Sequence, residues 1–242
     1  MSKIKQDKGK IQMRITFLLF FCITSLFSFS SNNIQFLYGD FKDNSYLYDV
    51  KGSGKYTLTY EHFNTHSYGD FFLFIDYAQA KNKFKYQDKK SDLYSEIAPR
   101  FSLSKLFNYD FRNRFIADTY LATEYNHGDD YYAYLYGIGF DLNMPLFDMF
   151  SLNIYHKNQS IGKNTYQITA VYKSFIDKFE FSGYLDLTKY DLTTQNQLLY
   201  DVGKYFNFTK NRLKVGTEWH HFKSKMNDEK GDTFQGMIKF SW

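Results

Sequence analysis

The sequence predicts an all-β protein, a transmembrane antiparallel β-barrel of about twelve strands that follows a cleaved N-terminal signal peptide. Three observations lead there. Aromatic residues reach 21%, with 23 Tyr and 27 Phe, while the mean hydropathy is -0.52. A soluble core has no need of so many large rings and a disordered chain has few, whereas strands and membrane interfaces accept both Tyr and Phe. Proline occurs only at Pro99 and Pro145, so long strands can run unbroken. Segments of about ten residues alternate apolar and polar side chains between turn residues, as expected where one strand face meets lipid and the other a polar lumen.

The first element is the targeting segment. Lys3, Lys5, Lys8, Lys10 and Arg14 form a basic head, Ile15 to Phe29 an apolar run, and Ser28-Phe29-Ser30 a small-x-small site. That layout is a secretory signal peptide over residues 1–30, with cleavage near Ser30 and a barrel over 31–242. The run is short for a helix crossing about 30 Å of hydrocarbon. Cys22 follows Phe21 rather than a small residue, which argues against a lipoprotein site. Removing 1–30 takes away five basic residues and one acid, leaving the two signs equal. The basic pI therefore belongs to the targeting segment and is no argument for nucleic acid. Cys22 is also the one cysteine, so the barrel has no disulfide or thiol chemistry.

The strands follow in order. Leu58 and Tyr60 alternate with Thr57, Thr59 and Glu61; Phe71, Leu73, Ile75 and Tyr77 with Asp70, Phe72, Phe74 and Asp76. Phe115, Ala117, Leu121 and Tyr125 oppose Arg114, Asp118, Tyr120 and Glu124, and Tyr132 through Phe140 oppose Gly137, Gly139 and Asp141. Phe150, Leu152 and Ile154 oppose Ser151, Asn153 and Tyr155; Tyr166 through Tyr172 oppose Gln167, Thr169 and Lys173. Phe179, Phe181, Leu185 and Leu187 oppose Glu180, Ser182, Tyr184 and Asp186, and Leu213, Val215 and Trp219 oppose Lys214, Glu218 and His220. At helical spacing these residues would scatter around a cylinder. Weaker segments near 34–41, 94–102, 197–205 and 233–242 complete an even number, which a closed chain needs to leave no edge unpaired in lipid.

Short links are expected near 65–68, 143–147, 174–177 and 207–211, and longer polar ones near 42–54, 81–90 and 223–232. The link at 103–112 is longer than this alternation predicts. In the last segment Phe234, Ile238, Phe240 and Trp242 share a face against Gln235, Lys239 and Ser241. A terminal aromatic on an alternating strand resembles the signal read by barrel-assembly machinery in Gram-negative outer membranes.

Glu96-Ile97-Ala98-Pro99-Arg100-Phe101-Ser102-Leu103-Ser104-Lys105-Leu106 resembles a Glu-x-x-Pro-Arg-Phe-Ser-x-x-Lys-Leu stretch of the nucleoside-specific channel-forming outer-membrane proteins, the Tsx family. Leu58-Thr59-Tyr60-Glu61 leading to 72–78, then 134–141 and 151–155, are similar in the same order, though closer to general barrel texture. The resemblance implies a monomeric twelve-stranded barrel with a narrow channel that passes nucleosides. This chain is shorter and richer in loop lysine, so its substrate preference can differ.

A barrel of that size lies between side-chain-filled small barrels and wide porins, and should pass small solutes selectively. Its expected lumen face carries candidate solute-binding residues: Phe72, Phe74, Tyr120, Tyr155 and Tyr184 as stacking surfaces; Asp76, Glu96, Asp118, Glu180, Asp186 and Glu218 as acceptors; Arg100, Arg114 and Lys214 as donors. Rings with both charge signs suit a neutral, planar, hydroxyl-bearing solute. The alternative is that the charges form ion pairs that brace the barrel.

No cofactor is implied, and the six histidines show no zinc spacing, His220 and His221 facing opposite sides of a strand. An outer-membrane hydrolase is the competing class. Only Ser102 near Glu96 and His220 near Glu218 offer pieces of a catalytic set, with no Gly-x-Ser-x-Gly elbow, so no enzyme is expected. A structural barrel or phage and colicin receptor is the third class, with Lys81, Lys83, Lys85, Lys89 and Lys90 as a contact loop. The expected partners are outer-membrane lipid and lipopolysaccharide, the assembly machinery through the strand ending at Trp242, and a small solute; nucleic acid is not among them.

Overall fold

The computed structural model describes residues 27–41, 54–84 and 89–242. The basic head, Cys22, most of the apolar run, and parts of the expected links at 42–54 and 81–90 (Lys85 included) lie outside the described residues.

Twelve strands form one closed antiparallel barrel. They are β1 (Phe27–Asp40), β2 (Gly54–His66), β3 (Gly69–Ala80), β4 (Ser91–Ser102), β5 (Ile116–Gly128), β6 (Tyr132–Leu142), β7 (Met149–Gln159), β8 (Thr165–Ile176), β9 (Phe179–Thr188), β10 (Asp191–Asp201), β11 (Leu213–Ser224) and β12 (Lys230–Ser241). Each strand pairs with its sequence neighbours, and β1 closes the ring on β12 from Asn33↔Ser241 to Gly39↔Gln235. Closure leaves no sheet edge unpaired, and among the described residues no helix is long and apolar enough to cross a membrane.

The period-two pattern fixes which face turns inward. In β12, Gly231, Thr233, Gln235, Met237 and Lys239 are buried while Lys230, Asp232, Phe234, Gly236 and Ile238 are exposed. In β6, Ala133 and Leu135 are buried against exposed Tyr132, Tyr134, Tyr136 and Ile138. Shifting any strand by one residue would put its carboxylates outside and its rings inside, so the register is strongly held. The outer surface carries stacked rings, among them Tyr172 with Phe150 and Phe181, and Tyr125 with Tyr134.

Several sequence expectations are corrected. The strand placed at 197–205 is β10 at Asp191–Asp201, followed by a 3-10 turn at Gly203–Phe206. Its start was hidden because Thr194 and Asn196 put polar groups on the outer face, where Thr194 donates to the Tyr184 carbonyl and Asn196 to Thr194. Its end is set by Asp201, whose carboxylate accepts from the Gly203 and Asn211 amides at 2.8 Å each. The link expected at 223–232 shrinks to 225–229, because β11 and β12 pair out to Lys223↔Lys230. The long link after β4 has its explanation in a capped helix, α1 (Leu103–Phe107). The Ser102 side chain accepts from the Lys105 amide at its start, and left-handed Asn108 closes its end. Asn113 then accepts from the Phe115 and Ile116 amides and starts β5. Link lengths do not sort by barrel end: the end carrying the C-terminus holds this link and 202–212, and the opposite end holds a two-residue link after β9.

β1 also begins before the expected cleavage point. Phe27, Phe29 and Ser30 pair with His66, Thr65 and Asn64 of β2.

Candidate functional site: the barrel lumen

The inward side chains are packed along β1 and β12 and along much of β5–β7, and solvent reaches part of those on the strands between. Every inward residue of β1 from Asn33 to Gly39, and of β12 from Gly231 to Lys239, is buried. Leu37, Leu199 and Met237 form an apolar cluster there, and the Gln197 amide donates to Gln35 Oε1 at 3.0 Å across β11 and β12. Gly216 lets β11 lie close against the β10 backbone: a Cβ on it would meet the Leu198 carbonyl oxygen at 2.0 Å. On β3, β4, β8, β9 and β10, many inward side chains instead keep partial solvent access, including Phe72, Phe74, Tyr94, Glu96, Arg100, Lys173, Tyr184 and Gln195. Partial access for side chains that point away from the outside means an open strip running along the interior.

Rings line this strip on one wall. Phe72, Phe74 and Tyr94 follow one another with centroids 6.0 and 5.8 Å apart. Below them, toward α1, Arg100 ties β3 to β6 along the wall: it makes two bonds to Asp70, at 2.7 and 2.9 Å, and two to Asp141, at 2.9 and 3.4 Å, and lies 4.2 Å over the Tyr120 ring. Tyr120 donates to Asp141 at 2.9 Å. A planar guanidinium suits a site with two carboxylates and a ring face. On the other wall, buried Glu180 gathers Lys214, Lys239 at 3.3 Å and Lys173 at 3.6 Å. Higher up, Thr59 donates to Asp76 at 2.5 Å and Thr169 to Asp186 at 2.6 Å, while Gln197 and Gln235 each donate to Glu218 at 3.0 Å. At the end opposite α1, Phe41, Ala78, Ala80 and Phe84 cluster with Phe222, and the Lys55 ammonium sits 4.7 Å over Phe41. The link after β3 thus reaches inward and narrows that mouth.

Phe72, Phe74, Asp76, Glu96, Arg100, Tyr120, Tyr155, Glu180, Tyr184, Asp186, Lys214 and Glu218 all lie on inward-facing positions. They are not one cluster: Tyr155 packs into the wall with Ala122, Ala133 and Leu135. Asp118 pairs with inward Asp141, but sits beside the bulge between Ile116 and Asp118 and accepts from the Thr119 amide. Arg114 is a correction. It is exposed in the link before β5, over the Phe115 ring, because the Asn113 turn and the bulge end the alternation there. The residues that reasoning passed over are Glu61, Glu124, Lys157 and Tyr94, all inward. The signal was present for Glu61 and Glu124, which alternate with apolar neighbours.

The pieces of the hydrolase alternative are otherwise engaged. Ser102 caps α1, and His220 contacts Gln195 at 3.4 Å. Outside the barrel wall, Arg112 donates to Asp110 and pulls its carboxyl down to about 2, and Asp129 beside Lys89 raises that ammonium above the usual lysine range.

No curated protein matches the chain in sequence. Among solved structures, the KdgM porin aligns over 88% of this chain and 99% of the porin, with 13% identity and a TM-score of 0.51, a likeness of fold alone. The same porin in complex with disordered oligogalacturonate aligns over the same shares at 13% identity and a TM-score of 0.49. Residues 42–240 match the family described as nucleoside-specific channel-forming protein, Tsx. With that match over most of the barrel, the chain belongs to the Tsx family of channel-forming proteins.

Proposed function

We propose that this protein is an outer-membrane channel through which nucleosides, or similar small planar solutes bearing hydroxyl groups, diffuse passively down their gradient. The observation that carries the reading is the open strip with its ladder of Phe72, Phe74 and Tyr94 facing hydrogen-bonding groups. Apolar rings in a water-accessible interior gain nothing from lipid. They offer a flat base a stacking surface, worth about 1–3 kcal/mol per base, while carboxylates and amides meet the sugar hydroxyls. Family membership supports the nucleoside. The barrel acts as a monomer, its outer rings set in the two membrane interfaces, with lipopolysaccharide against the loop lysines. The strand ending at Trp242 engages the assembly machinery, and residues 1–30 direct export.

The test is single-channel conductance of the refolded mature protein in a planar bilayer, titrated with adenosine, thymidine and a sugar control. Nucleosides should block a small steady conductance and the sugar should not, and Phe72→Ala should weaken the block about tenfold, the equivalent of about 1.4 kcal/mol of lost stacking. Conductance that nucleosides never alter would reduce the protein to a general small pore. A folded barrel without conductance would point to a structural or receptor role.

A further inference from the structure

The charges of the lumen are zoned. Glu96, Glu124 and Asp186 stand within electrostatic reach of one another and of Lys157; Glu61, Asp76 and Glu218 form a second group around Lys55. The two groups meet on the sheet, since Glu61 faces Phe74 and Phe74 faces Glu96 in the register. Six carboxylates therefore share the middle of the barrel with two ammonium groups. Asp92 adds the same sign near Lys55, and Asp191 near Asp186. Lys239 reaches Glu61 at 3.9 Å, but it is shared with Glu180. His220 on the same face is taken up with Gln195.

A second observation points the same way. The side-chain oxygens of Asn126, Asn153 and Gln235 are buried, on inward positions, and have no donor among the described residues. Asn126 is 4% exposed and lies directly across the sheet from Glu96; Gln235 donates its amide to Glu218 and leaves its oxygen unmet. A buried acceptor without a donor costs about 1–3 kcal/mol. Two of them lie beside carboxylates, Asn126 across from Glu96 and Gln235 on Glu218, in a zone where acidic groups outnumber the ammonium groups of Lys157 and Lys55. A solute carrying hydrogen-bond donors and positive charge would meet both, and the Phe74 and Tyr94 faces alongside attract cations as well.

We propose that this central belt is a cation-selective filter, so that the channel prefers cations, and organic solutes bearing ammonium or guanidinium groups, over anions of equal size. The proposal rests on the channel reading. In that reading a neutral nucleoside meets the belt through its hydroxyl and amine donors, and an anion finds its charge opposed over the middle of its path. Of the lysines around Glu180, Lys173 and Lys214 lie toward the α1 end, and Lys239, which Glu180 shares with Glu61, offsets only part of the belt.

The experiment is the reversal potential of the refolded mature protein in a planar bilayer under a KCl gradient. The K+ over Cl− permeability ratio should stand severalfold above one, and fall toward one in the Glu96→Gln/Glu124→Gln/Asp186→Asn variant while conductance persists. Asp186→Asn alone, with a smaller fall in the same direction, serves if the triple variant does not fold. A conducting wild-type barrel with no ion preference, or with preference for Cl−, overturns the filter and leaves the channel. A ratio unchanged in the variants also overturns it. A folded barrel that does not conduct overturns the channel reading, and the filter with it.

Discussion

Glu180→Gln should be among the most damaging single changes in the barrel. Glu180 is 1% exposed and is the shared counter-charge of Lys214, Lys239 and Lys173. Replacing its carboxylate with an amide keeps the shape and removes the charge, leaving two buried ammonium groups and one partly exposed one in mutual repulsion. Breaking a buried ion pair from one side costs about 3–5 kcal/mol. The low end applies here: Lys173 reaches solvent and Lys239 keeps Glu61 at 3.9 Å. A loss of about 3 kcal/mol, against a urea dependence on the order of 3 kcal/mol per molar, lowers the midpoint by about 1 M. Equilibrium urea unfolding of the refolded protein in phospholipid vesicles, followed by tryptophan fluorescence, measures this. The double change Glu180→Gln/Lys214→Met should recover at least half, since it removes one stranded charge together with the acid. A single variant whose midpoint falls by less than about 0.2 M would mean that water or other groups already carry these lysines, and the ion-pair account would be refuted.

Two further outcomes follow from the same geometry. Arg100→Met removes the bridge between Asp70 and Asp141 and the group stacked on Tyr120, so the open strip should widen. Conductance should rise and the urea midpoint fall, and a rise in conductance with an unchanged midpoint would show that the bridge holds no folding energy. Cleavage near Ser30 would cut the Phe27, Phe29 and Ser30 pairs of β1 and leave those from Ser31 onward. N-terminal sequencing of protein extracted from outer membranes should give Ser31; a start before Phe27 would place the cut ahead of the strand.

The barrel was legible because its pattern depends on one simple rule. Where a strand has lipid on one side and a lumen on the other, polarity flips at every residue, and β6 and β7 can be read without ambiguity. What escaped is where the rule relaxes. Thr194 and Asn196 bring polar groups to the outer face because neighbouring carbonyls and the Tyr172 hydroxyl satisfy them, so β10 lost its contrast. Arg114 shows the opposite error, since its alternation with Phe115 continued in sequence past the point where the Asn113 turn and a bulge end the strand in space. The candidate site was legible as a face and not as a shape. Alternation places Phe72 and Leu199 equally inside, but only the closed ring shows that Leu199 is packed against Leu37 and Met237 while Phe72 borders open space.

That difference decides how the lumen works. Closing twelve strands leaves more interior than one layer of side chains fills, and the chain fills it unequally. Large and amide side chains crowd the β10–β12 and β1 side. The residue types left along the strip are those that trade water for a solute at little cost: rings that stack, carboxylates already held by threonine or glutamine, and an arginine locked between two aspartates. Because Asp76, Asp186, Glu218 and Arg100 are tethered to the wall, they need not reorganise when a solute arrives, and binding weak enough to release it on the far side becomes compatible with selection. A strip built of free lysines or glutamates would hold a solute by rearranging around it, and would pass it more slowly. The tethering, more than the count of charges, is what a narrow passive channel requires.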